Sequence, residues 1–150
     1  MAKHVEQVVA EVTARPDEVF HYWNERTGYP RFVPGLRSVE PLDEVWSRWR
    51  LCDEHAPFDV EVTDVVPQHY VSWRCHRPSR DRTSVRLWPC GPGATRVEVD
   101  VSWHAPDDRH RESWRAWARD LLEGFTAMMR AEHAGHVDAL VRDEQVPHTD

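Results

Sequence analysis

The sequence lacks any long apolar run. No stretch approaches the roughly 20 consecutive apolar residues that span a bilayer, so we predict no membrane span. The start, MAKHVEQVVAEV, goes directly into strand-like alternation and does not show the basic start, apolar stretch and small-residue cleavage site that together mark a signal peptide. These two absences lead us to expect a cytoplasmic location.

Cysteine is scarce, and the chain has no net positive charge. The cysteines are Cys52, Cys75 and Cys90, an odd number without a CxxC spacing, which argues against a disulfide framework and a zinc knuckle. A formal charge of −7 argues against the basic stripe that a nucleic-acid surface needs. We expect Cys75 to face the interior, where apolar surroundings raise the pKa of a thiol and leave it inert.

Patterns that hold metals or cofactors are also missing. His133 and His136 share one helical face, but no third ligand stands at a supporting spacing, so surface histidines are the simpler interpretation. The GPGATR turn lacks the lysine and the following helix of a phosphate loop. No Ser-His-Asp or Cys-His arrangement can be assigned by spacing. We therefore predict neither a metal nor a cofactor.

What the sequence does contain indicates one globular domain with an aromatic interior. Its 150 residues are 40% hydrophobic and 30% charged, which is enough for a single core. We place that domain at residues 1–145 and a frayed tail at 146–150. Eight tryptophans exceed what one small core usually needs for packing, and they suggest a cavity lined by aromatic side chains.

Hydrophobic periodicity predicts about seven strands and one long helix. Alternation over Val5 to Thr13 gives the first strand, a helix begins near Pro16, and a short helical turn follows at 30–33. Four further alternating runs and the hairpin at 81–106 complete the sheet. From Glu112 the period becomes helical and continues to about Asp143. Gly124 inside this helix indicates a kink or a close approach of another segment.

These elements predict an α+β helix-grip fold. An antiparallel sheet of about seven strands has one apolar face, which the long C-terminal helix alone is large enough to cover. The sheet should curve around that helix. Two short helices after the first strand cannot fill the remaining space, so we expect a gap between the sheet and the long helix. Parity places Trp88 on the opposite face, outside the gap.

The same order of elements carries a family resemblance over roughly residues 3–143. The segments ARPDEVFHYW, VVPQHYVSWR and ATRVEVDVSWHAP resemble the polyketide cyclase/dehydrase branch of the Bet v 1-like (START-like, SRPBCC) superfamily. The resemblance implies a cavity for hydrophobic molecules such as polyketide intermediates, quinones, lipids or hormones. The aromatase/cyclases of that family carry a cavity tyrosine and a cavity arginine where this sequence has Leu36 and Asp64, which puts their mechanism in doubt here.

Candidate site residues follow from parity and from the helical faces. Hydroxyl donors for catalysis are Tyr22 and Tyr29, and Asp64 is the candidate base; Arg50 or Arg74 would join them if a bulge turned either inward. The predicted ligand contacts are inward-facing and mostly apolar. They are Trp23, Phe32, Ser47, Trp49, Phe58, Val60, Trp73, Val85, Leu87, Val99, Trp103, Trp117, Leu121, Phe125 and Met128.

Two functions are compatible with this pattern. The first is a cyclase/dehydrase-like protein that folds a poly-ketone or aromatic molecule inside its cavity, mainly by shape and orientation. The second is a carrier of the same fold that holds a lipid, a quinone or a finished product without catalysis. A hydrophobic small molecule is the predicted partner in both, with a polyketide synthase or its carrier protein as the candidate protein partner. Both a monomer and a homodimer are compatible with the sequence.

Overall fold

The computed structural model describes the backbone of residues 1–145 and side chains through residue 134. The predicted tail at 146–150 and the side chain of His136 therefore lie outside the described residues. The described chain forms seven strands, two α-helices and a 3-10 helix. In chain order they are β1 (Ala2–Val12), α1 (Pro16–Asn24), the 3-10 helix (Arg26–Arg31), β2 (Leu36–Pro41), β3 (Trp46–Leu51), β4 (Phe58–Val66), β5 (Tyr70–His76), β6 (Arg82–Pro89), β7 (Thr95–Ala105) and α2 (Arg111–Gln145).

The strands form a single antiparallel sheet in the order β1-β7-β6-β5-β4-β3-β2. The predicted strand count, the long C-terminal helix and the α+β helix-grip architecture are confirmed. β1 begins three residues earlier than the periodicity predicts, and the helical turn near Pro30 is a longer 3-10 helix. None of the helices within residues 1–145 is long and apolar enough to cross a membrane.

Cross-strand pairing defines an inner face of the sheet, which packs against α2. Val85 pairs with both Val71 and Val99, and all three side chains are buried. Trp73 pairs with Thr83 on the same face. Trp88, on the opposite parity, is 41% exposed, and the guanidinium of Arg96 lies over its ring. The register predicted for the hairpin is therefore confirmed.

A β-bulge in β4 changes the face that its last residues present. The register shifts between Val62 and Asp64, so that Val62 pairs with Trp73 while Asp64 pairs with Ser72. Simple alternation from Val62 would put Asp64 on the inner face, where the sequence analysis expects it. The bulge moves it to the outer face, because Asp64 lies opposite Ser72, a neighbour of inward-facing Trp73.

Gly124 marks the closest contact between α2 and the segment after α1. A Cβ built on Gly124 would lie 2.8 Å from the carbonyl oxygen of Phe32, closer than a real Cβ tolerates. The close approach expected from the sequence at this glycine is thus confirmed. Glycine is required here because the backbone of Phe32 occupies the space where a side chain would begin.

Candidate functional site

An aromatic cluster fills the middle of the interior. Trp23 of α1 is fully buried and packs against Phe125 of α2 and Phe32, with ring centroids 4.6 Å and 5.1 Å away. Tyr29 lies 5.2 Å from the ring of Trp73, which connects the cluster to the sheet. Aromatic rings prefer these tilted and edge-on arrangements at such distances. The cluster therefore packs the sheet, α1 and α2 into one core.

A cavity of about 420 Å³ lies beside this cluster, between the sheet and the first turns of α2. Its wall combines residues from β3, β4, β5, the segment before β2 and the loops that follow β3 and β5. They are Val33, Pro34, Gly35, Trp49, Leu51, Asp53, Glu54, Phe58, Trp73, Cys75, Arg77, Asp81, Ser113, Trp114 and Trp117. Five of these side chains are aromatic, so the cavity offers several flat apolar surfaces.

An ion pair forms one side of the cavity. Nε and Nη2 of Arg77 donate to the two carboxylate oxygens of Asp81 at 2.7 Å and 2.9 Å, and the hydroxyl of Ser79 donates to the same carboxylate at 2.6 Å. The Asp81 side chain is only 2% exposed and that of Arg77 23%. Burial opposes the charge of Arg77, but its hydrogen bonds to Asp81 and the negative charge of that carboxylate together outweigh burial and raise the pKa of the guanidinium.

Arg77 also lies over two aromatic rings of the cavity. Its guanidinium carbon is 4.4 Å from the ring centroid of Phe58 and 6.0 Å from that of Trp114. Both distances allow a cation–π interaction. The charge is thus held between a carboxylate and aromatic faces, which fixes the side chain in place.

Cys75 lies in the wall next to this pair. Burial, followed by the negative charge of Asp81, raises the pKa of its thiol well above the usual range. The thiol is therefore protonated and unreactive at neutral pH, as predicted from the sequence.

Two tryptophans of the wall differ in how their indole N–H is satisfied. Trp49 Nε1 donates to the hydroxyl of Ser47 at 2.9 Å. Trp73 is 2% exposed, and its buried Nε1 finds no acceptor among the described residues. The hydroxyl of Thr83, the cross-strand neighbour of Trp73, likewise has no partner within this part of the chain. A buried donor without a partner is costly, so an oxygen acceptor brought within reach of this N–H would lower the free energy of the site.

The three predicted catalytic residues lie away from this cavity. Tyr29 is buried, its hydroxyl donates to the carbonyl of Trp23, and burial raises its pKa well above the usual range. Tyr22 lines a separate polar depression between α1 and α2, together with His21 and His133. Asp64 forms an ion pair of 2.9 Å with Arg82 on the outer face. A catalytic role for these residues stays a prediction.

The predicted ligand contacts divide into two groups. Trp49, Phe58, Trp73 and Trp117 line the cavity. The others are buried in the packed core beside it, and a ligand-binding role for them stays a prediction. They are Trp23, Phe32, Ser47, Val60, Val85, Leu87, Val99, Trp103, Leu121, Phe125 and Met128.

Sequence reasoning missed the polar wall of the cavity. Asp81 has the same parity as Thr83, Val85 and Leu87, so extending the alternation by one step would have placed it inside. Arg77 has the parity of Cys75 but follows the last residue of β5, where alternation no longer applies. Within the side chains that the structure describes, no three His, Cys, Asp or Glu residues form a group able to hold a metal ion.

The seven-stranded antiparallel sheet and the long C-terminal helix define the class of the protein as helix-grip. The chain belongs to the polyketide cyclase/dehydrase and lipid transport family, whose family model matches residues 3–142. A curated relative, an uncharacterized 17.2 kDa protein from the melC2-rnhH intergenic region of Streptomyces lincolnensis, is 24% identical over 92 residues. That match covers 51% of this chain and 61% of the relative, less than two thirds of its length.

Solved structures share the fold at low sequence identity. DR_A0006 from Deinococcus radiodurans is 21% identical with a TM-score of 0.68, and the match covers 88% of this chain and 99% of that one. A START superfamily protein from Mycobacterium smegmatis is 15% identical with a TM-score of 0.66, covering 89% of this chain and 99% of the other. Identities this low bear on the fold alone.

Proposed function

We propose that this protein binds a planar hydrophobic small molecule in the cavity beside α2 and holds it without converting it. The observation that carries this proposal is the cavity itself, a space of about 420 Å³ with five aromatic side chains in its wall. Small-molecule sites in proteins have volumes of about 300–1,000 Å³ and mostly apolar walls with few polar groups. The family assignment to cyclases, dehydrases and lipid transport proteins supports a hydrophobic ligand.

The arrangement of the wall favours a flat ligand. Trp114 and Trp117 approach from α2, whereas Trp49, Phe58 and Trp73 come from the sheet. A planar ring system placed between helix and sheet can contact aromatic faces on both sides. The charges of the buried ion pair are matched, and the thiol of Cys75 is protonated. Neither is a ready nucleophile, which suits a carrier.

Binding can be tested with N-phenyl-1-naphthylamine, a neutral fluorescent probe. We expect saturable binding of one probe per chain, and a dissociation constant at least about tenfold higher for Trp117→Ala, since removing a buried aromatic contact costs about 1.5–3 kcal/mol. Trp117 is suitable because it is only partly buried at the edge of the core, so its removal disturbs packing less than that of a fully buried tryptophan. Trp88→Ala, which removes the exposed tryptophan of the outer face, is the matched control and should bind like the parent.

Two results would contradict the carrier proposal. One is the absence of saturable binding by a protein that still unfolds cooperatively. The other is an equal loss of affinity in Trp117→Ala and Trp88→Ala, because the probe would then be binding outside the cavity.

A second candidate, the directed cyclisation or dehydration of a poly-ketone, is favoured by the ion pair in the cavity wall. Arg77 could polarise one ligand carbonyl while the carboxylate of Asp81 accepts a proton from a carbon beside another carbonyl. The enolate carbon would then add to the polarised carbonyl, the proton held by Asp81 would return to the new alkoxide, and the resulting hydroxyl would leave as water together with a proton from the neighbouring carbon. In that case a polyketide synthase or its carrier protein would supply the substrate. Incubation with a reactive poly-ketone distinguishes the two candidates, because an unchanged product distribution would exclude cyclisation.

Variants identify the responsible groups if the product distribution does change. Loss of the effect in Arg77→Gln and Asp81→Asn would support the ion pair. Loss in Tyr22→Phe, Tyr29→Phe or Asp64→Asn would instead support the residues predicted from the sequence.

A further inference from the structure

We propose that the cavity selects uncharged ligands and rejects anions of the same shape. This inference rests on the proposed ligand-binding function and concerns the same cavity. It follows from the charges in the wall, from the engagement of the nearby cations and from the unpartnered N–H of Trp73.

The charged part of the described wall is predominantly acidic. Asp53, Glu54 and Asp81 contribute three carboxylates and Arg77 contributes one guanidinium, which gives the wall a formal charge of −2. Asp53 and Glu54 line the cavity and are exposed, so we take them as its opening, the side that faces solvent. Carboxylates at this position repel an anion, and the partial enclosure of the site reduces the screening of that repulsion.

The charge of Arg77 is already offset by Asp81. Its Nε and Nη2 donate to that carboxylate, and the guanidinium lies over the ring of Phe58. A ligand carboxylate could use the same two donors only by displacing Asp81, whose side chain is 2% exposed, and leaving that charge buried without its partner, which is strongly unfavourable. A carboxylate that approached Nη1 instead would meet an ion pair without net charge.

The cations on the first turns of α2 are engaged as well. Arg111 and Arg115 both bind the carboxylate of Glu6, at 2.7 Å and 3.1 Å. Arg115 also contacts Glu112 at 2.9 Å. Glu112 stands in the first turn of α2, where a negative side chain offsets the positive end of the helix dipole. The start of α2 therefore adds little attraction for an anion.

Trp73, a residue of the wall, also carries a polar group without a partner in the part of the chain that the structure describes. The buried Nε1 of Trp73 has no acceptor among residues 1–134. An uncharged carbonyl or ether oxygen would satisfy this donor without bringing a negative charge to the carboxylates. The ligand class that fits both observations is a planar, uncharged molecule with an oxygen acceptor.

The experiment compares two probes that share one ring system. N-phenyl-1-naphthylamine is neutral, whereas 8-anilino-1-naphthalenesulfonate carries a sulfonate on the same skeleton. The readout is the ratio of their dissociation constants, measured by fluorescence at low and high salt. We expect the neutral probe to bind at least about tenfold more tightly at low salt, and the ratio to shrink at high salt because added ions screen the carboxylates.

Removing the negative charges of Asp53 and Glu54 tests whether these residues cause the difference in affinity between the two probes. The double variant Asp53→Asn/Glu54→Gln should reduce the ratio about two- to fivefold, the effect expected for exposed charges. The double variant Glu40→Gln/Glu44→Gln removes two exposed carboxylates outside the cavity wall and should leave the ratio unchanged.

The outcomes separate this inference from the proposed function. If both probes bind saturably with equal affinity, or if the sulfonate binds more tightly, charge selection is wrong while the binding function stands. If neither probe binds, the binding function fails and charge selection fails with it. An equal change of the ratio in both double variants would also overturn the inference, because the preference for the neutral probe would then reflect the net charge of the protein and not the carboxylates of the cavity wall.

Discussion

At the residue scale, Trp73 and Trp49 lie in the same cavity wall but differ in whether the indole N–H has a hydrogen-bond acceptor. Trp49 donates its indole N–H to Ser47, whereas the N–H of Trp73 is buried without an acceptor in the described chain. The two rings are 6.0 Å apart, so they experience similar apolar surroundings. Any difference in how they contact a ligand oxygen should therefore come from the free N–H.

We predict that Trp73→Phe specifically weakens binding of ligands that carry a carbonyl. In this variant the ratio of the dissociation constant for 9-fluorenone to that for fluorene should be about fivefold higher than in the parent protein, since one net hydrogen bond contributes about 1 kcal/mol. Trp49→Phe should not change the ratio of the two constants. Isothermal titration of both ligands measures the ratio, and an equal change in both variants would show that the N–H of Trp73 does not contact the ligand.

At the element scale, the position of α2 depends on Gly124. We predict that Gly124→Ala lowers the free energy of unfolding by about 1–3 kcal/mol, because the new methyl group overlaps the carbonyl of Phe32. Helix propensity alone would predict a gain of about 1 kcal/mol. Urea unfolding distinguishes the predicted loss of stability from the predicted gain. The control is Ala116→Gly on the exposed side of α2, which should lower the free energy of unfolding by about 1 kcal/mol. A stabilised Gly124→Ala variant would disprove the close contact.

The contact between β1 and α2 should depend on pH through Glu6. Hydrogen bonds from Arg115 and then Arg111 lower the pKa of this carboxyl in the folded protein. Its stabilising contribution is therefore complete above the ordinary glutamate pKa of about 4.3, and it is lost as the pH falls through the lowered folded value. Glu6→Gln should flatten the rise in the free energy of unfolding with pH over that acidic range, measured by urea unfolding. Asp120→Asn, an exposed change on α2, should not.

Sequence alone could predict the elements and the faces of most strands. Alternation placed Val85 and Val99 inside and Trp88 outside because strand parity is a local property of the chain. It could not predict the partner of Tyr29, because a hydroxyl that donates to the carbonyl of Trp23 depends on how α1 meets the 3-10 helix. The bidentate pair of Arg77 and Asp81 likewise depends on the conformation of the turn between β5 and β6.

At the scale of the whole molecule, the cavity joins elements that are distant in sequence. Its wall includes residues of β3, β4, β5 and α2, so a bound ligand bridges the sheet and the long helix. A ligand that binds only the folded state stabilises it by mass action. The ligand should therefore stabilise the entire domain.

We predict that N-phenyl-1-naphthylamine at ten times its dissociation constant stabilises the protein by about 1.4 kcal/mol. For a chain of this size the unfolding midpoint should rise by about 3–6 °C, measured by calorimetry. Trp117→Ala should lose most of this rise at the same probe concentration, because a tenfold higher dissociation constant leaves only about 0.4 kcal/mol of stabilisation, while Trp88→Ala should retain it. An unchanged midpoint for the parent protein at that concentration would argue against binding to the folded state.

The exposure of Trp88 has an optical consequence. This indole is 41% exposed on the outer face, whereas Trp23, Trp73 and Trp103 are almost completely buried. Iodide in solution should therefore quench a red-shifted component of the emission from Trp88, and a ligand in the cavity should quench a blue-shifted component. The protein thus carries its own reference fluorophore, against which occupancy of the cavity can be read without a label.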